Sequence, residues 1–198
     1  MREKLFKYRE KRIHPYKDNK ILTSWNGLMI AALAYGGRIF QNTTYINAAE
    51  KAMNFILSKM INDKGRLMAR YREGYVAHLG YLDDYAFTVH ALIELYETTF
   101  NVVYLTKAIE LNENMFKLFK DEKQGGLFLY GVDGEELISR PKDIYDGAMP
   151  SGNSVATLNI LRLARLSSNR KLENEAYIQF EFFASKVKTI ESAHAYFM

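Results

Sequence analysis

The chain has 198 residues, of which 48% are hydrophobic and 25% are charged. This is the composition of a globular protein with a sizeable core, and it excludes a disordered tail. The sequence contains no cysteine, which excludes disulfides, thiolate metal sites and a cysteine nucleophile within this segment.

The net charge of +4 is concentrated at the start of the chain. Residues 1–20 hold eight Lys or Arg against three acidic residues, and apolar side chains such as Leu5 and Phe6 alternate with the basic ones. This pattern is typical of a solvated helix face, so we predict no nucleic-acid partner. The start lacks the layout of a secretory signal, and the longest apolar run, residues 27–37, is about half of a membrane span. We therefore predict a cytoplasmic protein with no membrane partner.

Three stretches of the chain align with one another. Ser24-Trp25-Asn26 corresponds to Asp83-Asp84-Tyr85, 59 residues later, and then to Ser151-Gly152-Asn153, a further 68 residues on. Each stretch opens a helical pattern that is followed by a short turn and a second helical pattern. Repeats of this size indicate stacked helical hairpins that share one core. We predict a single domain over residues 1–198, with hairpins at about 24–61, 83–120 and 151–188.

The two helices of a hairpin differ in polarity. The first helices, at about 24–40 and 83–100, are apolar nearly all round, which predicts burial on all sides. The second helices, at about 45–61 and 103–120, carry an apolar stripe opposite a charged face, as an outer layer does. The last pair, 151–166 and 171–188, completes the alternation. The predicted fold class is all-α, with inner and outer helices forming part of an (α/α)6 toroid.

The lengths of the loops indicate which face of the predicted structure carries function. The turns inside the hairpins are short, whereas the connections between hairpins, residues 62–82 and 121–150, are long. The first connection contains a strand-like run at 63–68, and the second contains one at 125–130 and a β-hairpin signal at 133–138. Both long connections lie where the inner helices begin, and long loops on a rigid scaffold commonly carry function.

This face collects side chains that suit a carbohydrate. Aromatic rings stack on the apolar faces of sugars, while carboxylates and amides bind hydroxyl groups. The candidate residues are His14, Asp18, Trp25, Asn26, His78, Asp83, Asp84, Tyr85, Tyr145, Asp146, Ser151 and Asn153.

Asp84 and Asp146 are the candidates for acid or base chemistry. Asp84 lies just inside a helix among apolar neighbours, where burial would raise its pKa, although an ion pair with Arg70 or Arg140 fits the position equally well. Asp146 precedes the third inner helix and would supply the second carboxylate that glycoside hydrolysis requires. His78, in the first long connection, is a candidate proton donor.

Several of the candidates have structural alternatives. Ser24, Asp83 and Ser151 hold equivalent positions and are preferred N-cap types, so capping is the alternative to ligand binding. Trp25 fits packing in the helical layer as well as stacking on a ligand, and His90 is predicted to lie in the core. The sequence has no metal-ligand spacing, phosphate-binding glycine loop or Ser-His-Asp pattern, so we predict no metal and no cofactor.

Several runs together resemble one family. They are Arg12-Ile13-His14-Pro15, the stretch from Asp18 to Ile30, Tyr81-Leu82-Asp83-Asp84-Tyr85-Ala86-Phe87, and the stretch from Tyr145 to Ser154. In this order they are similar to the spermatogenesis-associated thioredoxin-like protein family, over about residues 4–165. The resemblance implies a six-hairpin toroid similar to N-acylglucosamine 2-epimerases and six-hairpin glycosidases. It also implies an N-terminal thioredoxin-like domain, which this sequence does not contain.

Two functions follow as hypotheses. The first is an enzyme domain that acts on a sugar by hydrolysis, with Asp84 and Asp146 as acid and base, or by epimerisation, with His78 and His14 as a histidine pair. The second is a non-catalytic binding or scaffolding toroid that serves a thioredoxin-like domain. Both ends of the sequence look cut, so we also expect a fragment whose unpartnered apolar walls make it self-associate.

Overall fold

The computed structural model describes residues 1–135 and 138–198. Within these ranges the α-helices are α1 (Arg2–Arg9), α2 (Thr23–Ile39), α3 (Thr43–Lys59), α4 (Leu82–Thr99), α5 (Val102–Phe119), α6 (Gly152–Ser167) and α7 (Arg170–Thr189). Three strands, β1 (Ile21–Leu22), β2 (Met68–Arg72) and β3 (Tyr75–Leu79), form one antiparallel sheet in the order β1-β2-β3. Helices α2 to α7 are the six predicted helices, and the helical-hairpin architecture is confirmed.

The same turn recurs inside each hairpin. Its second residue is an asparagine whose side-chain oxygen accepts hydrogen bonds from the first amides of the outer helix: Asn42 before α3, Asn101 before α5 and Asn169 before α7. The residue before each asparagine has a positive φ of 51 to 54°. A left-handed residue ends the inner helix and an N-cap starts the outer one, so the chain reverses within a few residues.

The inner layer is centred on α4. This helix has twelve buried residues and packs against both α2 and α6, while α3 has only three buried residues along its inward stripe. Gly27 allows α2 to approach α4 closely, because a Cβ at that position would lie 2.8 Å from the backbone carbon of Phe87. The predicted division into inner and outer helices is confirmed.

Helix α2 differs from the prediction that it is buried on all sides. Trp25, Met29, Tyr35 and Ile39 lie on one side of the helix and are each more than half exposed. α3 and α4 pack against other sides of α2, so this apolar side of the helix is left open. In the described part of the chain, no helix has the length and hydropathy to cross a membrane.

The small sheet lies next to the start of α2. Strands β2 and β3 form a hairpin whose turn residues, Glu73 and Gly74, both have positive φ. The first strand of this hairpin, Met68–Arg72, lies later in the sequence than the predicted strand-like run at 63–68. In the second long connection, Leu127 pairs with Lys120 in a single bridge. The hairpin predicted at 133–138 includes residues 136 and 137, which are outside the described ranges.

Candidate functional site

The carboxylate of Asp84 joins the N-terminal ends of α2 and α4. Its Oδ1 accepts a hydrogen bond of 2.9 Å from the Ser24 amide, and its Oδ2 accepts one of 2.8 Å from the Tyr81 amide. Amides at the start of a helix have no partner within the helix. Asp84 is therefore a cap shared by two inner helices, and its partners are backbone amides rather than Arg70 or Arg140.

Asp83 extends this arrangement to the third inner helix. Its carboxylate lies against the backbone of Gly152 at the start of α6, and the Gly152 amide lowers the pKa of this carboxyl group. The approach is so close that a Cβ at Gly152 would clash with the Asp83 carboxylate. The adjacent side chains of Asp83 and Asp84 thus contact α6 and α2, respectively, and three helix starts meet at this pair of residues.

The capping roles differ from the sequence-based expectation. Ser151 caps α6 as the structural alternative predicted, because its Oγ accepts a hydrogen bond from the Ser154 amide. Helices α2 and α4 each begin one residue earlier than expected, so Ser24 and Asp83 lie inside the first turn and are not N-caps. Capping of α4 falls to Asp84 instead.

Burial sets the proton affinity of the two carboxyl groups. Asp84 is 3% exposed, and burial raises its pKa to about 6 in spite of the backbone amides, which lower it. Burial, and then the nearby Asp143 carboxylate, raises the pKa of Asp83 to about 6. Both groups therefore exchange protons close to neutral pH, which ordinary aspartates do not.

Raised pKa values make stability depend on pH. A carboxyl group whose pKa is higher in the folded chain than in the unfolded chain stabilises the fold fully below about pH 4, and this contribution is lost as the pH rises through about 6. For Asp83, the loss between pH 5 and 7.5 is about 1–1.5 kcal/mol. We expect the Asp83→Asn variant to lack this part of the pH dependence when urea unfolding is measured across that range.

Burial and Arg162 lower the pKa of His90, so His90 makes the protein more stable as the pH rises, the opposite of the effect of Asp83. Both the wild type and Asp83→Asn contain His90, so its contribution to the pH dependence of stability cancels when the two proteins are compared. Equal pH dependence in the two proteins would contradict the raised pKa of Asp83.

A cleft of about 320 Å³ lies beside the two carboxylates. The rings of Tyr81 and Tyr130 meet edge to face in its lining, with centroids 5.5 Å apart. We call it the N-terminal cleft, and its lining includes Ser24, Tyr81, Asp83, Asp84, Leu129 and Tyr130. Tyr81 and Tyr130 were not among the predicted site residues, although Tyr81 opens one of the motifs and Tyr130 ends the strand-like run at 125–130.

His78 lies in a neighbouring cleft of about 220 Å³, which shares Tyr81 and Tyr130 with the N-terminal cleft. The histidine is exposed and has a φ of 61°, a left-handed conformation that is uncommon for a residue with a side chain. Its position is close to the candidate site, and its role as a proton donor stays a prediction.

The carboxylate of Asp146 is hydrogen-bonded to the start of α6. Its Oδ1 accepts hydrogen bonds from the Ser151 amide at 2.8 Å and from the Ser154 hydroxyl at 2.7 Å, and its Oδ2 accepts one from the Tyr196 amide at 2.7 Å. Asp146 and Asp84 lie at the same end of the inner layer, as predicted. However, Asp146 is not part of the N-terminal cleft, whose second carboxylate is Asp83.

Two predicted substrate contacts are structural residues. Tyr85 is fully buried, and its hydroxyl accepts a hydrogen bond of 3.0 Å from the Leu67 amide. Asn153 is 1% exposed, and its amide group binds the backbone of Leu127 through both its oxygen and its nitrogen and also donates to the Asp143 carbonyl. Both side chains hold the long connections to the helices, and their contact with a ligand stays a prediction.

The remaining candidates are spread over the surface around the helix starts. Trp25 and Tyr145 are 60% and 62% exposed. Asn26 is half-buried and donates to the Leu22 carbonyl of the preceding turn. His14 and Asp18 are exposed in the segment before β1, where His14 contacts Glu10 and Asp18 pairs with Lys20. The structure brings none of these five into the N-terminal cleft.

A second polar group along the inner layer was missed by the sequence analysis. Glu94 of α4 pairs with Arg38 of α2 at 3.4 Å and with Arg162 of α6 at 2.7 Å, and Glu97 pairs with the same arginines at 2.8 and 2.7 Å. His90 lies beside this group, with Nδ1 3.4 Å from Nη1 of Arg162. It is half-buried rather than in the core, so that prediction is wrong.

Comparison with known sequences places the chain among named relatives. No family model matches it. It is 34% identical to spermatogenesis-associated protein 20 of Homo sapiens, over 96% of this chain and 26% of that protein. It is 30% identical to an uncharacterised protein of Caenorhabditis elegans, over 97% of this chain and 27% of that protein. The chain thus spans about a quarter of the length of the curated relatives it matches.

Several solved structures with the same fold are named as sugar-active enzymes. A cellobiose 2-epimerase from Bacillus thermoamylovorans superposes with a TM-score of 0.72 and 18% identity, over 88% of this chain and 47% of that enzyme. An α-mannanase of glycoside hydrolase family 76 from Bacteroides thetaiotaomicron gives 0.68 and 20%, over 86% and 46%. These similarities confirm that the fold is part of an α/α toroid. The sequence motifs and the homologues named spermatogenesis-associated protein 20, which match 96% of this chain, agree with the family that the sequence resembles.

Proposed function

We propose that this chain supplies a sugar-binding site of an α/α toroid and that the N-terminal cleft is that site. The observation that carries the proposal is a cleft in which two tyrosine rings stand beside two carboxyl groups of raised pKa. Rings of this kind stack on a sugar, and the carboxylates accept its hydroxyl hydrogens. Solved proteins of the same fold are named for action on cellobiose and mannan, which supports this ligand class.

Within the site, Asp83 is the group that exchanges a proton with the ligand. It is half-buried and lines the cleft, whereas the two oxygens of Asp84 are both occupied by helix amides. A carboxyl group with a pKa of about 6 is present in both protonation states at neutral pH, which suits general acid or base work. Asp84 and Asp146 then position the helix starts around Asp83, and His78 in the neighbouring cleft is a second proton donor.

A non-catalytic toroid that serves a thioredoxin-like domain is the alternative. One observation favours it, since Asp84 and Asp146, the carboxylates that the motifs single out, both serve as helix caps. In that case the cleft binds a sugar and no bond is broken.

Replacement of Asp83 by Asn tests the site, and turnover by the wild type separates the two functions. We expect the replacement to weaken binding of a sugar by about tenfold or more, because a hydrogen bond to a charged acceptor is lost, and to lower any turnover by about 10²–10⁴-fold. Isothermal titration with a panel of monosaccharides and disaccharides, followed by product analysis, measures both. Binding without turnover in the wild type supports the non-catalytic toroid.

Asp63→Asn is the matched control, because Asp63 is an exposed carboxylate in the first long connection. If Asp63→Asn and Asp83→Asn bind every sugar of the panel equally well, the N-terminal cleft is not the binding site.

A further inference from the structure

A third cleft, of about 510 Å³, lies among the three inner helices. We call it the inner cleft, and the side chains that characterise it are Tyr35 from α2, His90 and Glu94 from α4, Leu158 and Arg162 from α6, and Tyr196 near the end of the chain. Two tyrosines, a histidine, an ion pair and an apolar floor stand in one concave surface. This composition is typical of a ligand site.

The charges of the inner cleft select for a neutral ligand. Glu94 is 6% exposed and is held between Arg38 and Arg162, and Glu97 completes the ring of four alternating charges. The ring has no net charge, so it offers fixed donors and acceptors to hydroxyl groups without attracting an ion. Burial and Arg162 hold the pKa of His90 below its usual range, so the imidazole is neutral and can accept or donate a hydrogen bond.

Tyr35 supplies an open aromatic face. Its side chain is 53% exposed, and the Arg38 guanidinium lies 5.3 Å from the ring centroid. A ring fixed from one side by a cation and open on the other can stack on an apolar face of a ligand. Because Arg38 also forms an ion pair with Glu97, the aromatic ring of Tyr35 is held against the ion-pair network.

The two clefts follow one another along the same helices. On α4, Asp83 lines the N-terminal cleft and His90, seven residues later, lines the inner cleft, so both lie on the same side of the helix and about 10 Å apart along its axis. On α2, Ser24 lines the N-terminal cleft and Leu28, one turn later, lines the inner cleft. The clefts are therefore in line, at a spacing that one sugar unit does not span.

We propose that the N-terminal cleft and the inner cleft are two subsites of one elongated surface that binds a neutral oligosaccharide of at least two to three units. This inference rests on the proposed function, because it takes the N-terminal cleft to hold a sugar. One end of the oligosaccharide binds beside Asp83. The other end stacks on the aromatic ring of Tyr35, next to the ion pair of Glu94 and Arg162.

Titration calorimetry with oligosaccharides of increasing length tests the proposal. The probes are glucose, cellobiose and cellotriose, together with mannose and its α-linked dimer and trimer. In the wild type, the Kd is expected to fall by about tenfold or more from the monosaccharide to the trisaccharide of the series that binds. In Tyr35→Ala, the ratio of these two Kd values is expected to fall to about 1, because the second subsite has lost its aromatic face.

Tyr177→Ala is the matched control, since Tyr177 is 57% exposed on the outer helix α7. It should keep the wild-type ratio. Equal Kd values for a monosaccharide and a trisaccharide would overturn the proposal of an elongated surface. If Asp83→Asn weakens the binding of both, the proposal that the N-terminal cleft binds a sugar still holds. A length dependence that survives in Tyr35→Ala would also overturn it, and no binding by any probe would overturn both proposals.

Discussion

Replacement of Asp84 by Ala is expected to lower the free energy of unfolding by about 2–4 kcal/mol at pH 5. The variant leaves the Ser24 and Tyr81 amides without an acceptor in a partly buried place, and it removes the cap that α2 and α4 share. At pH 7.5 the loss should be smaller, because the wild type then carries a buried ionised carboxylate. Urea unfolding followed by circular dichroism at both pH values measures the difference.

Asp63→Ala controls for the removal of an exposed carboxylate and should change stability by no more than about 0.5 kcal/mol. A loss in Asp84→Ala as small as that of the control would show that the two helix starts are held together without the shared cap.

Removal of the Arg162 guanidinium is expected to cost about 3 kcal/mol, measured by urea unfolding of Arg162→Met. Glu94 and Glu97 would then share a single cation, Arg38, whose contact with Glu94 is already long at 3.4 Å. A buried carboxylate without full compensation is more costly than no charge at all. The expected loss therefore comes mainly from Glu94, which is the more buried of the two acids.

Arg165→Met is the matched control on the same helix, because Arg165 is 69% exposed and forms a surface pair with Glu173. Its effect should lie within about 0.5 kcal/mol. Adding Glu94→Gln to Arg162→Met should recover part of the loss, and a double variant less stable than Arg162→Met alone would argue against an uncompensated charge at Glu94.

The helices were predictable because their signals are local. Apolar periodicity fixes each helix, and Asn42, Asn101 and Asn169 mark the starts of the outer helices within the sequence itself. The exposure of Trp25 and Met29 could not be predicted. Apolar residues on one side of a helix indicate that this side is suited to burial, but they do not indicate whether another element packs against it. The hairpin turn at Glu73 was missed because a residue other than glycine takes up its left-handed conformation.

The candidate site was predictable only in part, for a related reason. The Tyr81–Phe87 and Tyr145–Ser154 motifs were correctly placed at the helix starts. The hydrogen bond from Ser24 to Asp84 joins residues 60 positions apart, so the motif alone does not distinguish a cap from a catalytic acid. His90 and Glu94 share a helix face with Asp83, which is visible in their spacing of seven and eleven residues, but their partner Arg162 comes from another hairpin.

The open face of α2 also gives the protein a built-in optical reporter. Trp25 is the single tryptophan of the chain and stands 60% exposed on that face. Its fluorescence in the free chain is therefore that of a water-exposed indole, and it comes from one known position. Anything that covers α2, whether a second copy, as predicted from the unpartnered helix, or another part of a larger toroid, will shift the emission to shorter wavelength and shield the indole from a soluble quencher. Occupancy of this face can thus be titrated in solution without attaching a label.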